Sequence, residues 1–238
     1  MSNKPFVFRA FRVKQDQCAM KIGTDGVLLG AWASIDHNPA SILDIGTGTG
    51  IISLMLAQRS SAELIDAIEI DGDAYEQCVD NFEHSPWSDR LFCYHTSLSK
   101  FVDEIEVKYD LIVCNPPFYS EDYRTNNNPR NLARFQDALP FDHLINCVSK
   151  LLLDNGNFSV IIPFKEEDQF IATAFKYGLY PITIMHVKGT PSSQIKRSLL
   201  SFSFRKGNAK RTQLIIEAKR HQYTQKYKDL TQDFYLNM

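Results

Sequence analysis

No two of the five cysteines (Cys18, Cys78, Cys93, Cys114 and Cys147) stand at C-x-x-C spacing. That argues against a zinc ribbon or a dithiol redox pair, so no metal is expected. An odd, scattered set of thiols also gives no disulfide framework, and a reducing cytoplasmic compartment is expected. No stretch approaches the roughly 18 apolar residues of a membrane span. The first 18 residues contain no apolar run of the signal-peptide kind, so a membrane is not an expected partner. Internal repeats and low-complexity tracts are missing too. There is no apparent His–acid pair of the type that moves protons in general acid–base catalysis.

The 238 residues are 44% hydrophobic and 23% charged, which suits one α/β domain with short extensions. Net charge is −2, but it is unevenly spread. Residues 1–22 carry five Lys/Arg and one acid, net +4. Residues 23–185 carry ten against 24, net −14, and residues 186–238 carry eleven against three, net +8. The expected organisation is therefore a basic N-terminal extension, 1–22, followed by a single domain, 23–238, with a basic C-terminal part. Basic ends around an acidic middle point to a polyanionic partner.

Hydropathy patterning predicts alternating strands and helices. Strands are expected at 41–45, 64–70, 91–95, 109–114, 158–163, 180–187 and 197–205. Helices are expected at 50–59, 73–83, 141–153 and 166–177, with Gly156 as the stop after the third. Repeated βα units mean a doubly wound, mostly parallel sheet. The last two strands have no helix between them and predict an antiparallel hairpin at one edge. βα units followed by a hairpin are the organisation of Rossmann-like, seven-stranded class I methyltransferases, the fold class expected here, and the pattern alone leaves other doubly wound folds open.

The first strand ends in Asp44-Ile45-Gly46-Thr47-Gly48-Thr49-Gly50. A dinucleotide fingerprint counted from Gly46 needs a third glycine at 51, where Ile51 stands. An acid two residues before the first glycine is ill placed beside a pyrophosphate. It suits the ammonium and sulfonium of S-adenosylmethionine, which is therefore the expected cofactor. Asp44, Gly46, Thr47, Gly48 and Gly50 are its candidate contacts. Glu69, at the next strand end, is the expected ribose acceptor, and Asp71 reads as the start of the following helix. After the third strand, Ser97 stands where an adenine-binding acid or Asn is expected. Ile70 and Leu98 complete the expected cofactor contacts.

The fourth strand runs into Asn115-Pro116-Pro117-Phe118, the candidate catalytic tetrapeptide. Prolines lack N–H donors and hold the chain extended, which leaves the Pro116 carbonyl free to accept. An exocyclic amine is a poor nucleophile because its lone pair is delocalised into the ring. Asn115 Oδ1 and the Pro116 carbonyl can each accept one N–H and turn that lone pair toward a methyl group. Such chemistry needs positioning and no tuned base. Phe118 offers a stacking face. The polar loop that follows carries Arg124, Arg130 and Arg134, candidate RNA contacts, as are Lys210 and Arg211 near the C-terminus. The residues alone leave several acceptors open: an RNA or DNA base amine, or the glutamine amide of a translation release factor.

With residues 20–32 (MKIGTDGVLLGAW) and the Asn115–Phe118 tetrapeptide, the chain resembles the bacterial tRNA1(Val) adenine-37 N6-methyltransferase family along nearly its whole length. The resemblance implies methylation of the adenine just 3′ of the anticodon, so the anticodon loop of a valine tRNA is the implied partner. It also implies that the N-terminal signature caps the cofactor, with Thr24 and Asp25 near its methionine end. Arg197 stands where the family carries Arg, as a structural or RNA-contacting residue. Phe118 departs from the commoner Tyr but keeps the ring, and Ser97 departs from the usual acid.

Overall fold

The computed structural model describes residues 4–18, 20–117 and 139–237. Its centre is an eight-stranded sheet. In chain order the strands are β3 (Ser41–Ile45), β4 (Leu64–Glu69), β5 (Leu91–His95), β6 (Tyr109–Cys114), β7 (Leu152–Pro163), β8 (Tyr180–Lys188), β9 (Ile195–Ser203) and β10 (Lys210–Ile215). Across the sheet the order is β10-β8-β9-β7-β6-β3-β4-β5. Strands β3 to β7 pair in parallel, and β9 is antiparallel to both β7 and β8. The doubly wound sheet with its C-terminal hairpin is thus as expected, with one strand more. Strand β10 pairs in parallel with β8 at the edge. Its sequence, KRTQLI, buries only Leu214. Its charge hid it from hydropathy patterning and now protects a sheet edge from further pairing.

Helices α1 (Thr24–Trp32), α2 (Ile51–Arg59), α3 (Gly72–Glu83), α4 (Leu98–Glu104), α5 (Phe141–Leu151), α6 (Glu167–Lys176) and α7 (Gln225–Thr231) cover the faces. Apolar residues on both faces of the parallel strands separate two core clusters. One holds Ile42, Ile65 and Leu111 under α1 and α2, and the other holds Leu43, Ile68 and Ile112 under α4 to α6. Alternate residues of a strand point to opposite faces, which explains the division.

Gly156 is not the helix stop that the sequence predicts. Helix α5 ends at Leu151, and Leu152 already begins β7, paired with Tyr109 of β6. The register jumps before Leu111 meets Asn157, so Gly156 lies in a bulge. A side chain there would meet the Asp110 and Leu153 carbonyl oxygens at 3.0 Å. Close backbone approach is what this glycine provides.

The basic N-terminal segment folds onto the domain. A short hairpin, β1 (Phe6–Val7) and β2 (Arg12–Val13), buries Phe8, Phe11 and Val13 in the same cluster as Phe234 near the C-terminus. Its continuation crosses α3. Asn81 accepts the Lys14 N–H at 2.8 Å and donates to the Lys14 carbonyl at 2.9 Å, and Gln77 accepts the Gln17 N–H at 2.9 Å.

Candidate functional site

Strands β4 and β6 flank β3 on opposite sides, so the chain reverses its winding there. A crevice opens beyond the carboxyl ends of strands at such a point. Here it is a cavity of about 1070 Å³. One wall is the loop after β3, a second is residues 20–26, and a third is Asn115 and Pro117 after β6. The turn after β7 and residues 194–197 complete it.

The loop after β3 owes its shape to glycine. Gly48 has φ +57° and Gly50 φ +79°, the left-handed region that other residues avoid. A side chain at Gly48 would meet nothing within 4 Å, because the space beside it is the open cavity. At Gly50 it would strike Phe82 at 2.6 Å, so this glycine lets α2 start against α3.

Asp44 lies behind that loop and not on the cavity wall. It is fully buried. Its Oδ2 accepts the Thr47 and Ser53 hydroxyls at 2.7 and 2.8 Å. Oδ1 is buried with no hydrogen-bond partner among the described residues. Burial outweighs the two hydroxyls, with a small push from Glu69, and raises the carboxyl to about 6. Half of this side chain therefore shapes the loop, and the other half is an unsatisfied acceptor beside it.

Glu69, nearly buried at the end of β4, turns both oxygens toward backbone. Oε2 accepts the Gly48 N–H at 2.8 Å, and Oε1 accepts the Ile70 and Asp71 N–H groups at 2.8 and 3.0 Å. Asp71 caps α3 by accepting the Ala74 N–H at 2.9 Å, as its position in the sequence suggests. Ile70 is exposed beyond Glu69. Ser97 caps α4 through the Lys100 N–H, and Leu98 is buried in the second core cluster. Neither faces the cavity wall described above.

Residues 20–26 approach from the opposite side. Gly23 caps α1, and Thr24 and Asp25 line the cavity. Asp25 and Arg197, singled out separately in the sequence, meet: Arg197 Nε donates to Asp25 Oδ2 at 2.8 Å. Arg211 donates to Glu167 at 3.2 Å, while Lys210 is exposed on the β10 edge. Neither lines the cavity. Phe118, Arg124, Arg130 and Arg134 lie outside the described residues.

Sequence reasoning missed two parts of the site. One is Asn81, which besides Lys14 donates to the Thr49 carbonyl at 2.9 Å and so ties the N-terminal crossing to the glycine loop. A polar residue inside an amphipathic helix gives no signal of this. The other is the turn 164–166 after β7, whose Phe164 lines the cavity. An aromatic following a proline at a strand's carboxyl end was a readable cue.

The cavity has on one side the glycine loop, which Asp44 and Glu69 hold from behind, and Asn115 on the other. Asn115 is half-buried, Pro116 buried and Pro117 exposed. Asn115 and Pro117 at the exit of β6 thus share one cavity with the glycine loop after β3, while Pro116 is not among its lining residues.

Residues 26–137 match the family model of the methyltransferase small domain. A tRNA1(Val) (adenine(37)-N6)-methyltransferase of Flavobacterium psychrophilum is 62% identical over 98% of this chain and 100% of its own length. One of Bacteroides fragilis is 44% identical over the full length of both chains. Among solved structures, a predicted O-methyltransferase from Agrobacterium tumefaciens superposes with a TM-score of 0.68 at 20% identity, covering 88% of this chain and 96% of that one. A ribosomal protein L11 methylase from Lactobacillus delbrueckii gives 0.54 at 17% identity, covering 76% and 77%. At these identities the two structures speak for the fold alone.

Proposed function

Since the chain belongs to the tRNA1(Val) (adenine(37)-N6)-methyltransferase family, we propose that it transfers a methyl group from S-adenosylmethionine to the N6 amine of adenine 37, beside the anticodon of a valine tRNA. The observation that carries this reading is the shared cavity. Asn115 and Pro117 face it from β6, and Gly46, Thr47 and Gly48 face it from β3.

The residues fit the cofactor. The open side of Gly48 leaves room where a side chain would intrude. Glu69 retains acceptor capacity beyond its three backbone donors, since an ionised carboxylate offers about four lone-pair sites. The unpaired Oδ1 of Asp44 supplies negative potential under the loop. When bound, S-adenosylmethionine supplies an electrophilic methyl on a sulfonium cation. Asp44 and Glu69 hold the loop that cradles it, and residues 20–26 close over it.

Asn115 Oδ1 and the Pro116 carbonyl each accept one N–H of the adenine amine. This directs the nitrogen lone pair along the axis of displacement, and the amine later loses its proton to water. Positioning of this kind lowers the barrier by holding a near-attack geometry. An anticodon-loop base is less tightly stacked than one in a duplex, so its extrusion costs little. The exposed cations of the C-terminal part hold the RNA by phosphate contact.

The test is transfer of labelled methyl from S-adenosylmethionine to total tRNA, total rRNA and a translation release factor in parallel. Label entering tRNA alone is expected. Label entering only rRNA or the release factor would replace the acceptor and keep the chemistry.

A further inference from the structure

Phe164 is 39% exposed. It opens the 3-10 turn Phe164–Glu166, between β7 and α6. It lines the same cavity as Asn115 and Pro117. Cys114 lies opposite Val160 across β6 and β7, so Asn115 is level with Ile161. Phe164 is three residues further along, which is about 10 Å at the usual strand rise of about 3.3 Å. Phe164 thus follows Asn115 along the strand direction on the wall of one cavity.

The ring is also held in place. It meets His186 in a T-shaped contact, with centroids 5.1 Å apart and an interplanar angle of 81°. His186 Nε2 is 2.8 Å from Glu167 Oε2. Glu167 is buried and also takes the Ser198 hydroxyl and one Arg211 N–H. Four elements, β8, β9, β10 and α6, therefore fix the support of one exposed aromatic. Lys165 and Lys196 are exposed on the same wall. Glu166 pairs with Lys165 at 3.8 Å, and Asp25 balances Arg197. A rigid π-surface flanked by cations, in one cavity with an amine-binding motif, matches the chemistry of a nucleotide.

We propose that Phe164 is a stacking platform for a base of the RNA substrate, with Lys165 and Lys196 meeting the phosphates beside that base. This rests on the reading of the chain as an RNA amine methyltransferase. It assigns substrate contact to a residue outside the Asn115–Phe118 tetrapeptide.

The experiment is steady-state methyl transfer to tRNA by the parent, Phe164→Ala, Phe164→Leu and Phe164→Tyr, with calorimetry of S-adenosylhomocysteine on each. Loss of a stacking contact corresponds to about a tenfold change in RNA affinity. The KM for tRNA is expected to rise about tenfold in Phe164→Ala and Phe164→Leu and to return close to the parent value in Phe164→Tyr. Affinity for S-adenosylhomocysteine should not change. Phe164→Ala with the parent's KM would overturn the proposal. So would Phe164→Leu behaving as well as Phe164→Tyr, since apolar bulk and not a ring would then suffice. A parent that methylates no RNA in the same assay would instead refute the reading beneath it.

Discussion

Glu69 Oε2 accepts the Gly48 N–H at 2.8 Å, so the acid that ends β4 holds the middle of the loop that ends β3. Loop shape therefore depends on the carboxylate that we propose also binds the ribose. Glu69→Ala is expected to weaken S-adenosylhomocysteine binding by about tenfold or more. It should also reduce unfolding stability by about 1–3 kcal/mol, because three backbone donors lose their acceptor. Calorimetry and denaturant melts read the two effects. An unchanged cofactor affinity would remove Glu69 from the site.

Asp44 makes stability depend on pH in a definite direction. Its carboxyl is raised to about 6 in the folded protein, against about 3.9 in an unfolded chain. The folded state holds the proton more tightly. The stability this contributes is full below about pH 4 and is lost as pH rises through about 6, with a total of about 3 kcal/mol. The ligand-free parent is therefore expected to lose more stability between pH 4 and 6 than Asp44→Asn, which carries no titrating group there. Urea melts across this window measure the difference, and parallel curves would contradict it. At pH 7 the same substitution should weaken S-adenosylmethionine binding.

Asn81 joins the Lys14 backbone to the Thr49 carbonyl. Asn81→Leu fills similar space without the amide, and it strands three backbone groups. Faster hydrogen exchange at the Lys14 and Gln17 amides is expected, together with a loss of about 1–3 kcal/mol in stability. Exchange confined to the α3 backbone would mean that the N-terminal crossing is held by other contacts.

Much of the site was legible in the sequence for physical reasons. Strand-end acids and a glycine-rich turn follow from the β period and the left-handed backbone, so Asp44, Gly48 and Glu69 stand out without a structure. The capping role of Asp71 was equally readable. Side-chain partnerships between distant segments were not. Asp25 and Arg197 are 172 positions apart, and nothing local pairs them. Ser97 stands where a base contact is expected, and the cap that its hydroxyl gives α4 was not read. Strand β10 escaped because an edge strand with one buried residue lacks the alternation that patterning detects.

The exposed cations Lys210, Lys219 and Arg220 lie in the basic C-terminal part. Replacing all three with Ser is expected to raise the KM for tRNA and to flatten its salt dependence, since each phosphate contact releases a counterion. Cofactor binding should be unaffected. Methylation rates measured at low and physiological salt provide the check. A variant with the parent's salt slope would place the RNA elsewhere on the surface.

In the proposed reaction Asn115, at the carboxyl end of β6, directs the adenine amine to the methyl group. This role is tested most directly by incubating the parent and Asn115→Ala with S-adenosylmethionine and purified valine tRNA, then mapping methylated nucleosides by mass spectrometry. The parent is expected to yield N6-methyladenosine at position 37 alone. Asn115→Ala is expected to yield it about a hundredfold or more slowly while binding S-adenosylhomocysteine as the parent does. Methyl groups on another atom of the base, or an Asn115→Ala rate above half that of the parent, would contradict it.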